Sequence, residues 1–526
     1  MKTRNFAIAI LLTGVLGLSS CEKFLEEQPK SNETLNFFYK TEAQAIGNVN
    51  ALYRRGATVR YGNAGSAYLG PTASIPTFLT GYFTNSYENQ ELICQYSRLL
   101  NRQENTRIVS NTMNTIWNDS YNSINIANGA VKHIPEIPFT DANQQKTLIA
   151  TAKFFRAFNY FYLVKTFGDV PLHLEPTENL DNLYLERSPV ATVYQAIEQD
   201  LKDAVDGLPA VTFTENKNRI TKYVAAMTLA NVYLQQGKFA EAATYSKMVV
   251  NSPHNLTANE DLKMKSAYNK LRSTDNLAES IYAYEFDGTI SSSGWWPTYG
   301  FNSSATAVFD KYAIFERVYG PTKRFLNVYK ADDLRIQPNQ FFHWEYKNPN
   351  TGKIWKSEDA GVWYYVDEAA VLTSGRGTKD FNIYRYAEAL LIAAESTAKA
   401  ANAVTAEAAG YLARIKARAS TTNKTVAQFT TELQALSPTA FVEEVWTERL
   451  RELPLEFKMW DDCLRTGKFP VISETEKGRV TYINLVGGKN ASGATFKDSD
   501  LLWPISLDEL QRNPKLTQNK DYQSKN

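Results

Sequence analysis

Three glutamates at intervals of four residues, Glu448, Glu452 and Glu456, form the acidic cluster with the clearest catalytic potential. Paired carboxyl groups hydrolyse glycosidic bonds, so such a cluster would suit a helical glycosidase. However, Pro454 is expected to break the helix between them, and a glycosidase needs carboxyls that face each other across a sugar. The basic neighbours that can form ion pairs with the cluster are Arg449, Arg451 and Lys458. We therefore interpret the cluster as ion-paired scaffold and predict that the chain is not an enzyme.

Aromatic residues interleaved with Asn, Ser and Gly form a second candidate site. They lie in two stretches with little helical periodicity, residues 57–95 and 286–377. A flat ring can stack on the C–H face of a sugar while amides and hydroxyls bind its hydroxyl groups. The predicted ligand-binding residues are Trp295, Trp296, Tyr299, Tyr61, Tyr68, Tyr82, Asn63, Asn85 and Asn302. Alternatively these rings pin loops onto the core, and the site lies with Trp344, Trp355 or Trp363.

The segment around Trp295 and Trp296 is flanked by small residues, Ser291 to Gly294 before it and Gly300 after it. Burial of the whole segment is not expected, because loop backbone needs water or other hydrogen-bond partners. At least one ring of this segment is therefore predicted to project from a loop towards solvent.

The N-terminus has the pattern of a signal peptide. Lys2 and Arg4 precede an apolar run over residues 6–18 that is too short to span a bilayer. The run ends in Leu18-Ser19-Ser20-Cys21, which resembles a bacterial lipobox. We predict that residues 1–20 are removed and that Cys21 is lipidated, since several acyl chains on one residue make a durable anchor. An ordinary secretory signal cleaved elsewhere is the alternative.

Composition argues against several other classes of protein. The formal charge is +1, or about −1 without Lys2 and Arg4, so no global basic surface for nucleic acid is expected. No later apolar run has the length of a membrane span. Cys94 and Cys463 are predicted to be buried free thiols, with a bridge as the alternative. The four histidines lack the spacing of a zinc site, and phosphate-loop, dinucleotide and nucleophile-elbow motifs are missing, so no metal or cofactor is expected.

Helical periodicity appears in both halves of the chain. The predicted helices are residues 33–53, 147–167, 190–208, 222–236, 240–251, 384–400 and 405–418. Residues 229–242 have the spacing of a tetratricopeptide pair, with Gly237 at the turn, and such a pair needs neighbours to bury its apolar faces. Arg156 lies in a helix that is apolar nearly all round, so we predict a buried guanidinium paired with Glu388, Glu448 or Glu452.

Several segments resemble the SusD/RagB family of outer-membrane lipoproteins for nutrient uptake. Residues 152–172 are similar to its central helix, and Tyr384 to Leu391 resembles its Arg-Tyr-Ala-Glu helix. Residues 448–468 and the ending Leu501-Leu502-Trp503-Pro504-Ile505 also follow the family pattern. The resemblance extends from Cys21 to Tyr522.

The resemblance implies a mainly α fold, in which stacked tetratricopeptide-like helix pairs form a curved support covered by an irregular, loop-rich ligand-binding region. It implies one domain over residues 21–526. Its helical parts would be residues 33–285 and 378–526, with an irregular insert at residues 286–377.

The implied function is a non-catalytic lipoprotein at the cell surface, held in the outer membrane by its lipid anchor alone. It would bind an oligo- or polysaccharide and deliver it to a TonB-dependent outer-membrane barrel of the SusC type. A RagB-like protein that captures peptides is the alternative within the same family.

Overall fold

The computed structural model describes residues 39–62, 71–85, 112–178, 183–290, 295–309 and 317–522. The helices are α1 (Glu42–Ala51), α2 (Ile75–Phe78), α3 (Asn114–His133), α4 (Ala142–Phe167), α5 (Val190–Gly207), α6 (Lys222–Gln235), α7 (Phe239–Val250), α8 (Ala267–Ser273), α9 (Lys323–Leu326), α10 (Glu368–Val371), α11 (Tyr386–Ala401), α12 (Ala406–Ala419), α13 (Val426–Gln434), α14 (Pro438–Glu452), α15 (Met459–Thr466) and α16 (Leu507–Arg512). The strands are β1 (Phe83–Thr84), β2 (Ser280–Tyr284), β3 (Gly320–Pro321), β4 (Phe342–Lys347), β5 (Ile354–Val362), β6 (Phe381–Arg385), β7 (Lys468–Ile472) and β8 (Val480–Asn484). The predicted mainly α fold class is confirmed. The predicted signal peptide, Cys21 and Cys94 lie outside the described residues.

The central helix α4 shows how local sequence sets an element's limits. It begins at Ala142, earlier than the predicted residue 147, because the Asp141 side chain caps it by accepting a hydrogen bond from the Asn143 N–H (2.8 Å). It ends at Gly168, whose positive φ of 75° suits glycine. Nearly every side chain from Leu148 onward is buried, as expected of a helix with neighbours on all sides.

The helices stack one against the next in the order α3, α4, α5, α6, α7, α11, α12 and α13, and α14 packs on α11. The tetratricopeptide pair is α6 and α7, joined by a turn in which Gly237 has φ 70°. The Tyr233 ring stacks on Tyr245 at a centroid distance of 5.7 Å and fills part of the gap between the two helices. The successive stacking gives this pair the neighbours that it needs to bury its apolar faces.

The prediction for Arg156 is right about burial and wrong about the partner. The guanidinium is buried, and its Nε and Nη2 donate to the two carboxylate oxygens of Asp200 at 2.7 and 2.8 Å. Asp200 lies on α5, which packs directly on α4, whereas the expected acids on α11 and α14 pair with other bases. A bidentate ion pair therefore links α4 and α5, the second and third helices of the stack.

The strands of the described residues pair antiparallel as β1–β3, β2–β6, β4–β5 and β7–β8. Most buried apolar side chains form one large core around the stacked helices. A second, smaller core lies entirely within residues 301–371, where Phe301, Tyr346, Trp355 and Trp363 pack together. The irregular stretch therefore has its own apolar support.

Two further features concern chemistry and membranes. Cys463 is a buried free thiol, as predicted, and burial raises its pKa. Across the part of the chain that the structure describes, no helix has both the length and the apolar character of a membrane span.

Candidate functional site

The glutamate cluster is buried, Glu448 and Glu452 form ion pairs, and Glu456 contacts Arg385. Glu448 Oε1 lies 2.7 Å from Arg335, and Glu452 contacts both Arg335 (3.0 Å) and Arg418 (2.5 Å). Burial alone would raise the pKa of Glu448, but Arg335 and its basic neighbours hold that pKa well below its usual range. α14 ends at Glu452, before Pro454, so Glu456 lies on the next turn. The prediction of ion-paired scaffold is confirmed.

Glu456 differs from the other two carboxyls. Its Oε1 accepts a hydrogen bond from Arg385 Nε at 2.6 Å, but no hydrogen bond reaches its buried Oε2 from the described residues. Burial raises the pKa of Glu456 from 4.5 to about 7, and the nearby Arg385 offsets only part of this effect.

The raised pKa predicts a pH-dependent stability. The folded state keeps the Glu456 proton up to about pH 7, whereas the unfolded state loses it near pH 4.5. The resulting stabilisation is therefore full below pH 4.5 and is lost as the pH rises through 7. Relative to Glu456→Gln, which cannot ionise, the wild type should lose about 3 kcal/mol of unfolding free energy over this range. Urea unfolding of both proteins at about pH 5 and about pH 8 measures the difference, and parallel pH profiles would contradict it.

The aromatic segment is held by contacts within the second half of the chain. Residues Trp296–Gly300 form a 3₁₀ turn, and the Thr298 hydroxyl donates to the Trp295 carbonyl oxygen at 2.8 Å. His343 Nε2 donates to the Gly300 carbonyl oxygen at 2.6 Å. Gly300 is required here, because a Cβ atom would lie 2.7 Å from the carbonyl oxygen of Val362. The turn is therefore a fixed feature of the fold.

Two of the three predicted ring residues of this segment face inward, which corrects their assignment as ligand contacts. Trp296 stacks on Phe381 (5.1 Å between ring centroids) and on Phe457 (5.9 Å), and Tyr299 is also buried. A ring enclosed by other aromatic side chains has no face left for a ligand. Trp296 and Tyr299 therefore anchor the turn by packing in the core.

The same correction applies to most of the predicted companions. Tyr61 is buried, stacks on Phe381 at 5.3 Å and shares a hydrogen bond with the Tyr162 hydroxyl. Tyr82 is buried and donates to the Pro470 carbonyl oxygen at 2.7 Å, and Asn85 is also buried. Each of these side chains is fixed inside the protein by packing or hydrogen bonding.

The remaining predicted residues either pack in the smaller core, are half-buried or lie outside the described residues. Asn302 is half-buried, and its amide nitrogen donates to the Ser357 hydroxyl at 3.0 Å while its oxygen accepts from Trp355 Nε1 at 3.2 Å. It therefore serves the smaller core. Tyr68 and Asn63 lie outside the described residues. Of the alternative tryptophans, Trp355 and Trp363 are buried in the smaller core, and Trp344 is half-buried.

Among the predicted ligand-binding rings that the structure describes, Trp295 keeps contact with solvent. Its side chain is half-buried between the large and the small core, and the exposed guanidinium of Arg376 lies 5.0 Å from its ring centroid. The neighbouring Gly377 packs closely on the turn, because a Cβ atom there would lie 3.1 Å from Pro297 and 2.6 Å from Asp367. Of the three rings in this segment, only Trp295 can still be the one that projects towards solvent, because Trp296 and Tyr299 are buried.

Sequence reasoning did not identify Arg376. It is a single charge in the Ser374-Gly375-Arg376-Gly377 stretch, and no periodicity connects it to Trp295. Together they form a ring-plus-guanidinium surface that could stack on one side of a flat or puckered ring and donate hydrogen bonds to its substituents. We call Trp295 and Arg376 the aromatic edge. Among the described residues, no group of His, Cys, Asp or Glu side chains could hold a metal ion.

Comparisons with known proteins agree with this architecture. A family model described as "Starch-binding associating with outer membrane" matches residues 23–234, and a "SusD family" model matches residues 285–522. A relative is SusD-like protein P2 of Formosa agariphila, 26% identical over 495 residues, which cover 88% of this chain and 91% of the relative.

Solved structures give the same result. A SusD superfamily protein from Parabacteroides distasonis superposes with a TM-score of 0.78 and 26% identity, covering 91% of this chain and 99% of that one. A laminarin-binding SusD-like protein superposes with a TM-score of 0.66 and 21% identity, covering 92% of this chain and 100% of that one. Two matching family models that together extend over most of the sequence, and the shared architecture of stacked helix pairs, lead to one conclusion: the chain belongs to the SusD/RagB family.

Proposed function

We propose that this protein is a non-catalytic, lipid-anchored surface protein that binds an oligo- or polysaccharide at the aromatic edge. The observation that carries the proposal is the partly exposed Trp295 ring, placed beside Arg376 by a rigid turn. A ring held by a rigid turn loses little freedom when a sugar stacks on it, and only the exposed Arg376 side chain, which lies over the ring, has to shift. We further propose that residues 21–526 act as one domain, with residues 286–377 as its binding insert.

The burial of the glutamate cluster supports a non-catalytic role. Glu448 and Glu452 are each 1% exposed and share Arg335 as an ion-pair partner, so neither carboxyl is available to a sugar. A glycosidase needs one carboxyl on each side of the bond that it cleaves. Glu448 lines one cleft and Glu456 lines a separate one, so these acids do not face each other across one open space.

Glycan binding can be tested with the lipidated protein and a panel of laminarin, starch, xylan and fructan. Laminarin is included because one structural neighbour is described as laminarin-binding. Affinity electrophoresis and calorimetry should show saturable binding of one of these polysaccharides, without new reducing ends after long incubation. Binding of a casein digest but of no polysaccharide would favour the peptide-capturing alternative.

Delivery to a transporter is the second part of the proposal. A lipid-anchored body with a shallow face has no route through a membrane, so the captured ligand must pass to a channel. We propose a SusC-like TonB-dependent barrel as a permanent partner, with a buried interface above about 2,000 Å². Extraction from native membranes in mild detergent should recover the pair, and recovery of the monomer alone would contradict this part.

Lipidation of Cys21 gives a prediction about location. Cys21 is the residue that the lipobox pattern predicts to be acylated. The Cys21→Ala variant should therefore be found in the soluble fraction and no longer in the outer-membrane fraction. Cell fractionation followed by immunoblotting measures the distribution, and Cys463→Ala is the matched control because that thiol is buried. Unchanged membrane association of Cys21→Ala would show that the anchor lies elsewhere.

A further inference from the structure

A second cleft lies on the helical part of the protein and shares no lining residue with the aromatic edge. It opens between α3, residues 171–177 and 183–184, and α16, and its volume is about 490 Å³. This volume lies within the range of small-ligand sites in proteins. Its lining combines asparagine amides with aromatic and aliphatic side chains, which suits a ligand that has both polar and apolar surface.

One wall of the cleft carries a row of amides. Asn118, Asn122 and Asn125 follow at intervals of four and three residues along α3, so they lie on one face of that helix. Asn122 is exposed, and its amide has no hydrogen-bond partner within the described part of the chain. Asn122 offers an acceptor and two donors, a combination that matches neighbouring hydroxyl groups. The Asn118 oxygen already accepts from Arg512 at 3.3 Å and the Asn125 oxygen from the Thr177 N–H, so these two residues offer mainly their NH₂ donors.

The opposite wall is fixed by hydrogen bonds to α3. The Tyr121 hydroxyl donates to the Pro171 carbonyl oxygen at 2.8 Å. The Asn128 amide donates to the carbonyl oxygens of His173 and Glu175 at 3.0 Å each, and Asn125 accepts from the Thr177 N–H at 2.8 Å. The cleft is therefore preorganised, which reduces the entropy cost of binding.

The charges in the cleft indicate a neutral ligand. Its acidic residue, Glu509, and its basic residue, Arg512, lie 2.8 Å apart and offset each other's charge. Burial lowers the pKa of His173, so this ring is uncharged near pH 7. The Glu509 carboxylate would repel an anion, and the Arg512 guanidinium would repel a cation. Tyr184, which is 37% exposed at the cleft, supplies an aromatic face.

From the amide row, the Tyr184 ring and the internally neutralised charge, we propose that this cleft is a second binding site for a neutral oligosaccharide. Asn122 and Asn118 would bind sugar hydroxyls, and Tyr184 would cover one face of a sugar ring. A polysaccharide long enough to reach both sites would contact the protein at the aromatic edge and at this cleft, which raises the effective concentration of the chain at each site.

Calorimetry of the lipidated protein in detergent tests the cleft with laminarihexaose, maltohexaose, cellohexaose and xylohexaose. The Trp295→Ala variant should retain weak binding of at least one hexasaccharide. Adding Asn122→Ala and Tyr184→Ala to that variant should weaken the residual binding by about tenfold or more. The matched control adds Asn251→Ala and Leu262→Ala, which change an exposed amide and an exposed apolar residue outside the cleft, and should have no effect.

The outcomes separate the cleft from the aromatic edge. Loss of affinity in Asn122→Ala/Tyr184→Ala with no effect of Trp295→Ala would support the cleft and refute the edge. The proposal of a second site would be overturned if the residual binding of Trp295→Ala were unchanged by the cleft substitutions. It would also be overturned if Trp295→Ala or the wild type bound none of the sugars. Binding of a casein digest in place of all four sugars, when it is lost in Asn122→Ala/Tyr184→Ala, would overturn the sugar assignment.

Discussion

Replacement of Arg385 by alanine is expected to lower the free energy of unfolding by about 5 kcal/mol, the upper end for breaking a buried ion pair. Arg385 is fully buried at the end of β6, where its guanidinium lies 2.6 Å from Glu279, 3.0 Å from Glu452 and 2.6 Å from Glu456. Its removal would leave these carboxyls buried with fewer positive partners. A loss of this size approaches the whole stability of many domains.

The measurement is urea unfolding of the wild type, Arg385→Ala and a matched surface variant. Arg479→Ala serves as the control, because Arg479 pairs with Glu476 at 2.8 Å and both side chains are about 60% exposed. Exposed pairs contribute about 1 kcal/mol or less, so this variant should unfold almost like the wild type. Equal losses for the two variants would show that the buried network does not determine stability.

Replacement of Trp295 by alanine is the second large expected effect, and it acts on binding. Loss of a stacking ring that anchors a shallow site should cost about 2 kcal/mol of binding free energy, or roughly thirtyfold in Kd. The turn itself should persist, because Trp296 remains packed against Phe381 and His343 still binds the Gly300 carbonyl oxygen. The variant should therefore lose affinity for the glycan while it retains its fold.

Trp446→Ala is the matched control for that experiment. Trp446 is also half-buried, but it lies on α14 and donates from its Nε1 to Glu395 at 2.8 Å. Both substitutions remove the same ring from a half-buried position. If only Trp295→Ala weakens binding, the effect comes from the position of that ring and not from the loss of a tryptophan in general.

Most helices of the stack could be predicted from the sequence because their signals are local, whereas α3, α13 and α14 were not predicted. Gly237 ends one helix of the tetratricopeptide pair, Gly168 ends α4, and apolar periodicity marks the faces between them. Most predicted helix starts lie within two residues of the observed ones, but α4 begins five residues earlier than predicted because Asp141 caps it. The buried charge of Arg156 followed from its apolar surroundings, but its partner Asp200 depended on which helices pack together.

The candidate site was harder to predict, because it depends on contacts between distant residues. Trp295 and Trp296 are neighbours in sequence with the same flanking residues, yet one ring reaches the surface and the other lies in the core. Phe381 and Phe457 decide this outcome, and they come from β6 and from the residues after α14. Aromatic composition therefore indicated the region of the site but not which ring faces the ligand.

The most direct test of the proposed function is calorimetry with the polysaccharide of the panel that the wild type binds most tightly. The wild type, Trp295→Ala and Trp446→Ala would be compared as lipidated proteins. The melting temperature of each would be measured first, to show that all three are folded at the temperature of the titration. Binding at the aromatic edge predicts a loss of roughly thirtyfold in affinity for Trp295→Ala and no change for Trp446→Ala. Equal affinities of all three proteins, or the absence of polysaccharide binding by the wild type, would contradict it.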